Sequence, residues 1–388
     1  MNAATFFDGE EWRDGIIEII DGRMLLRDES PASDLRSSGL PRLDGVIVGG
    51  FTDHHVHLQL VDHTLLHASA LGRVTDLGAK PAVVAALSAK MRGAENTCAT
   101  SGGARNASAD PCGAKNASES TFSGALLTPH GTTTPHGSTA PHGSTTPHGT
   151  APHPTTHPVS VEFAGAFLTP VGGYPSDRDW APEGSFREIA DTAAAERAVA
   201  ELADAGASCI KVASNATAGP VFSDQLFRAI VGAAAARGLP VVAHAEGTGE
   251  AQRAARLGAT RLAHAPFTER LDDDEIVAQA ASVAWVSTLA IHDADSAERV
   301  TAVDNVRRFH AAGGTVLYAT DMGNGPTPIG LNPAELTSLR DAGIEGIDLL
   351  RTLAPQNPLD PAALLLALPG IDADPTLARP LTSADLKA

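Results

Sequence analysis

Cysteine is scarce: Cys98, Cys112 and Cys209 are the three in a chain of 388 residues. An odd, sparse set makes no disulfide framework, so a reducing cytoplasm is the expected compartment. Aromatic residues supply only 4% of a chain that is 43% hydrophobic. The core must therefore be built from Ala, Val, Leu and Ile. Basic residues are outnumbered, 28 Lys and Arg against 46 Asp and Glu, for a formal charge of −18. Nucleic-acid binding needs a basic face, so that class is excluded. Residues 1–8 carry neither the basic start nor the apolar stretch of a signal peptide, and no run is long enough to span a membrane. The expected partner is a small-molecule substrate, with neither nucleic acid nor membrane involved.

What is present is an alternation of short apolar runs and Ala-rich helical patterns. Residues 13–27 read as a hairpin, with Asp21-Gly22 as a favoured two-residue turn. From Gly45 onward, β-rich runs fall at 46–51, 73–76, 159–167, 208–213, 240–243, 261–263, 283–288 and 315–319. Helical patterns over 191–205 and 223–237 each stop at a glycine, Gly206 and Gly238. Strands alternating with helices imply a parallel sheet, and this number of units implies an α/β fold closed as a (β/α)₈ TIM barrel. The expected organisation is an N-terminal hairpin or partial β-sandwich over 1–44, a barrel over 45–355 and a C-terminal tail over 356–388. Beyond the barrel strands, a helix is expected at 333–342, an apolar stretch at 347–353 and poor order over 369–388.

One segment breaks the rhythm. Residues 93–158 are rich in Gly, Ser, Thr, Asn and Pro, and repeat a Pro-His-Gly unit at His130, His136, His142 and His148, with His153 and His157 following. Almost no large apolar side chain is available there to offset ordering entropy, so a disordered insertion on a barrel loop is expected. Its histidines could load metal into a nearby site, or the repeat could be functionally neutral.

Four motifs carry chemistry, each at the C-terminal end of an expected strand, where barrel enzymes place their reacting groups. In Phe51-Thr52-Asp53-His54-His55-Val56-His57, strand alternation points His55 and His57 the same way and His54 the other. His244 follows the apolar run Val241-Val242-Ala243, and His264 follows Arg261-Leu262-Ala263. Either alone is as readily a packed histidine as a ligand, but they lie one βα unit apart, on neighbouring strands. Asp321 follows Val316–Thr320 at the last strand, which adjoins the first when the barrel closes. The competing reading, a helix N-cap, is weakened by Gly323 and Pro326. Imidazole and carboxylate ligands suit a divalent ion, Zn²⁺ first, with Mn²⁺, Fe²⁺ and Ni²⁺ as alternatives.

Together, Phe51–His57, Ala243–Gly247, Leu262–Pro266 and Ala319–Gly323 make the chain similar to the amidohydrolase superfamily, and within it to the imidazolonepropionase-like and prolidase-like branch. The resemblance covers about residues 5–90 and 160–355. It implies a metal-dependent hydrolase of C–N amide-like bonds, working by metal-activated hydroxide with Asp321 as general base. It also implies a binuclear centre: one ion on His55, His57 and Asp321, a second on His244 and His264, and Lys211 carboxylated between them. The alternative for Lys211 is an uncarboxylated lysine at a one-ion site. Ring opening of a cyclic amide, or deamination, would use the same residues. A reading of another class is a non-catalytic, His-rich metal store. Tyr174 and His292 follow the third and seventh strands and are expected to line the mouth, His292 as a catalytic or substrate contact or else as a solvated loop residue.

The chain also departs from that family. The usual C-terminal sandwich strands are not evident after the last barrel helix. The hairpin's apolar face is therefore expected to need another cover, which a partner subunit in a homo-oligomer would supply.

Overall fold

The computed structural model describes residues 1–28, 39–93, 157–176, 178–179 and 181–387. Most of the low-complexity insertion, including His130, His136, His142, His148 and His153, lies outside them. His157 lies inside: its Nε2 is 2.7 Å from the Ser69 carbonyl, and its own carbonyl meets His67 Nδ1 at 2.7 Å. The expectation of disorder is thus corrected at that residue.

Strands β1 (Asn2–Phe7), β2 (Trp12–Ile20), β3 (Arg23–Asp28) and β4 (Arg42–Gly49) open the chain. β2 and β3 form the expected hairpin. Asp21 and Gly22 both take positive φ, 50° and 79°, which matches the right-handed twist of the two strands. β1 pairs antiparallel with β2 and parallel with β4.

The barrel begins one strand later than the sequence suggests. The run Val46-Ile47-Val48-Gly49-Gly50-Phe51 reads as one strand, yet it spans two sheets. β4 ends at Gly49, and β5 (Phe51–Val56) is the first barrel strand. The break sits where backbones crowd: a Cβ on Gly50 would lie 2.7 Å from the Gly72 Cα. A continuous apolar run signals burial but not a change of sheet.

β6 (Leu71–Asp76) and β7 (Ser160–Phe163) follow in parallel with β5. The expected third strand also divides. β8 (Phe167–Pro170) pairs with β9 (Phe186–Ile189) on one side and, through Leu168 opposite Val212, with β10 (Ile210–Asn215) on the other. The wall continues from β10 through β11 (Val241–Glu246), β12 (Arg261–Leu262), β13 (Ala284–Val286) and β14 (Val316–Leu317), all parallel. Hydrogen bonds join the two sheets at both seams. Ser208 N donates to the Phe163 carbonyl at 2.8 Å, and His57 N to the Met322 carbonyl at 2.7 Å. Residues 51–322 thus close as a (β/α)₈ barrel.

The helices start and stop where side chains demand. Asp191 accepts from Ala194 N at 2.7 Å and opens helix Thr192–Asp204, and Ser223 caps helix Asp224–Ala235. Asn332 caps helix Pro333–Asp341, with proline in its first turn.

The chain's end corrects an expectation. Instead of a poorly ordered tail, β15 (Leu365–Leu368) pairs antiparallel with β4, and β16 (Arg379–Pro380) pairs with β15. They complete a six-stranded sheet in the order β16-β15-β4-β1-β2-β3. Leu365, Ala367 and Leu381 pack against Ala4, Phe6, Ile17, Leu26 and Ile47. The hairpin's apolar face is covered by the chain's own C-terminus, so the stated reason for a partner subunit falls away.

Candidate metal centre

β5 carries His55 within the strand, and His57 follows it directly; both rings are buried. Each ring is anchored through Nδ1. His55 Nδ1 lies 2.9 Å from the Ala263 carbonyl, and His57 Nδ1 lies 3.2 Å from that of Gly78. A carbonyl only accepts, so each Nδ1 carries the proton and, in the neutral ring, each Nε2 is left with its lone pair. These two Nε2 atoms lie 3.3 and 3.1 Å from one oxygen, Asp321 Oδ1. Asp321 is 2% exposed, and its Oδ1 has no hydrogen-bond donor, while Oδ2 accepts from Asn324 Nδ2 at 2.8 Å.

Two imidazole nitrogens and a carboxylate oxygen thus converge on one point. A cation resolves that arrangement. Ligand atoms about 2.0 Å from a tetrahedral ion lie roughly 3.3 Å apart, close to the observed separations. His264 joins the group: one ligand atom each from His55, His264 and Asp321 lies within 4.8 Å of the others. His264 Nδ1 meets Thr288 Oγ1 at 2.9 Å. Burial, then the charge of Lys211, holds His55 well below the usual imidazole range, and burial with His55 and His244 does the same to His264. His57 shifts the other way: burial lowers it, but the hydrogen bond and charge of Asp321 outweigh that and raise it above the ordinary imidazole value. Neutral imidazoles are the form a metal takes, so metal binding there displaces a proton. Burial raises the Asp321 carboxyl, but the His55 and His57 imidazoles outweigh it and hold Asp321 well below the usual carboxylate range.

The remaining expected residues fall around this group. Lys211, on β10, is 1% exposed, and its Nζ stands 5.8 Å from the Phe167 ring centroid. Burial lowers its amine to about 8. His244 lies edge-on to His264 with centroids 4.9 Å apart, and its Nε2 faces Glu246 Oε2 at 3.1 Å. Tyr174 stacks on His244 at 5.3 Å. All of these line one cavity of about 410 Å³, whose apolar wall includes Leu60, Phe167, Phe267 and Ile291. His292 does not line it. Its ring packs 4.6 Å from that of Phe267, which does line the cavity, and it follows the short helix Leu289–Ile291, whose Ile291 lines it too.

Several supporting residues carried no signal that sequence reasoning used. Asp53 Oδ1 accepts from His55 N at 3.0 Å and Thr320 N at 3.2 Å, and Oδ2 from Thr320 Oγ1 at 2.6 Å. One buried carboxylate thereby clamps the first strand to the residue before Asp321. Asp76 accepts from Leu58 N and Gly78 N, which places the Gly78 carbonyl against His57. Glu335 accepts from Ala290 N at 2.6 Å and holds the turn after β13. Thr288 and Asp321 both adopt positive φ, 46° and 54°, a conformation that costs about 1–3 kcal/mol for a non-glycine residue.

Residues 46–353 match the model of the amidohydrolase family. The chain belongs to that family. Its members generally use divalent metals, and membership makes this chain a metal-dependent hydrolase. By sequence, the chain matches no curated protein. Solved structures share its fold at low identity. A Xaa-Pro dipeptidase with bound methionine is 14% identical, with a TM-score of 0.60 over 98% of this chain and 99% of that one. An ochratoxinase of A. niger is 15% identical, with a TM-score of 0.59 over 97% and 94%. A prolidase complexed with N-methylphosphonate-L-proline is 15% identical, with a TM-score of 0.53 over 97% of each chain. Among the described residues, no helix is long and apolar enough to cross a membrane.

Proposed function

We propose that this amidohydrolase cleaves a C–N amide-like bond of a small molecule at a centre of one or two divalent ions, Zn²⁺ first. The observation that carries the reading is Asp321 Oδ1, buried and facing the Nε2 atoms of His55 and His57 at 3.3 and 3.1 Å. His55, His57 and Asp321 would hold one ion, and His264 with His244 a second. Such an ion polarises a carbonyl and acidifies water.

Lys211 is suited to bridge as a carbamate. Burial lowers its pKa to about 8, so roughly a tenth of it is unprotonated near neutral pH. The free amine adds to CO₂ through a new N–C bond and releases one proton. An ammonium beside a cation becomes an anionic ligand by that step.

The Asp321 carboxylate would take the proton of the attacking water and return it to the leaving nitrogen. Tyr174 packs against the substrate beside His244, and the apolar wall excludes water. His292 acts through Phe267, which it holds against the cavity. The occurrence of a dipeptidase and a prolidase among the structural relatives makes Xaa-Pro dipeptides sensible first substrates, with N-acyl amino acids and cyclic amides beside them.

The test is hydrolysis of that panel by chelator-stripped protein, before and after adding Zn²⁺ or Mn²⁺. Activity should vanish and return. Turnover that survives complete metal removal would contradict the proposal.

A further inference from the structure

Glu246 lines the same cavity beside the centre. β11 places His244 and Glu246 two residues apart, hence on one face of the strand. His244 Nε2 lies 3.1 Å from Glu246 Oε2. That carboxylate is itself fixed. Asn215 Nδ2, from the register-matched residue of β10, donates to Oε2 at 2.7 Å, and Thr217 Oγ1 lies 2.9 Å from Oε1. Asn215 is held in turn, its Oδ1 accepting from Thr217 N at 3.0 Å and Ala218 N at 3.1 Å.

A carboxylate only accepts, so the nitrogen facing it carries the ring proton. His244 Nδ1 then keeps the lone pair, with no hydrogen-bond partner among the described residues. His55 and His57 show the opposite arrangement, with Nδ1 anchored and Nε2 toward Asp321. The Tyr174 ring against His244 and the His264 ring at its edge fix its tilt as well.

We propose that Glu246 is a positioning residue of the metal centre: it holds His244 in the Nε2–H form and so makes Nδ1 the ligating nitrogen. The negative charge behind the ring also makes that nitrogen a better donor. The inference rests on the metal-centre reading above. Asn215, the last residue of the strand that carries Lys211, and Thr217 just beyond it hold Glu246 in turn.

The test is Zn²⁺ affinity and stoichiometry, measured by competition with a chromogenic chelator, for wild type, Glu246→Ala, Glu246→Gln and His244→Ala. Glu246→Ala should weaken one class of zinc site by about 10–100-fold. Glu246→Gln, which keeps an acceptor but loses the charge, should fall between Ala and wild type. In a His244→Ala background, Glu246→Ala should cause no further loss. A merely structural role would lower the melting temperature of the metal-free protein and leave the affinity of the folded fraction unchanged. Wild-type zinc affinity in the Ala variant overturns the proposal, as does a full additional loss in the double variant. If Glu246→Ala does not fold, the Gln variant decides, and unchanged affinity there overturns it equally. A wild-type protein that holds no zinc refutes the metal centre itself, an outcome distinct from the others.

Discussion

Asp321 is the residue on which most of the chemistry turns. It sits at φ 54°, accepts from Asn324 through Oδ2 and turns Oδ1 toward the histidines. Asp321→Asn keeps one oxygen and the shape but loses the proton acceptor. Metal content should persist while kcat falls by two orders of magnitude or more; steady-state kinetics on metal-replete protein checks this. Asp53 acts at one remove. Asp53→Ala strips buried acceptors from the backbone N–H groups of His55 and Thr320. Leaving such donors unpaired costs about 1–3 kcal/mol each. Urea denaturation should show a loss of that order. Glu335 gives a pH signature. Burial raises its carboxyl from the ordinary 4.5 to about 7. Between those values the folded chain keeps a proton that the unfolded chain has released, so this contribution to stability falls as pH rises through the window. Glu335→Gln removes the titration and keeps an acceptor for Ala290. Its melting temperature should therefore decline less than wild type between pH 5 and 7.

At the scale of elements, the ends of the barrel strands were legible and their beginnings were not. His244 and His264 could be picked out because each directly follows an apolar run, Asp321 because only Thr320 separates it from one, and alternation alone pairs His55 with His57. The same alternation pairs His244 with Glu246, a signal present in the sequence but unused. Asp53 and Glu335 act through backbone N–H groups distant in sequence, and no local pattern announces that. The first strand was misplaced because an unbroken apolar run hides the step from β4 to β5 at Gly49-Gly50. β15 was missed for a related reason. Leu365-Leu366-Ala367-Leu368 is buried throughout, so it lacks the two-residue alternation of a strand with one wet face. Its role is still testable. Leu366 is fully buried between the sheet and the barrel core. Leu366→Ala should cost about 2–5 kcal/mol, measurable by denaturant titration. A cost near zero would mean that β15 is dispensable to the sheet.

For the whole molecule, the barrel supplies rigid strand ends, and the six-stranded sheet binds the two chain termini together outside it. The centre concentrates His55, His57, His264 and Asp321 in one buried place, where their convergent polar atoms are costly until a cation binds. Binding a metal to the folded chain alone must therefore raise its stability by linkage. Removing the ion should lower the melting temperature, and restoring it should reverse the change. The most direct measurement is anomalous scattering at the zinc edge from crystals of the zinc-loaded protein. The account predicts a peak bonded to His55 Nε2, His57 Nε2 and Asp321 Oδ1; loaded crystals with no anomalous peak among those three atoms would contradict it.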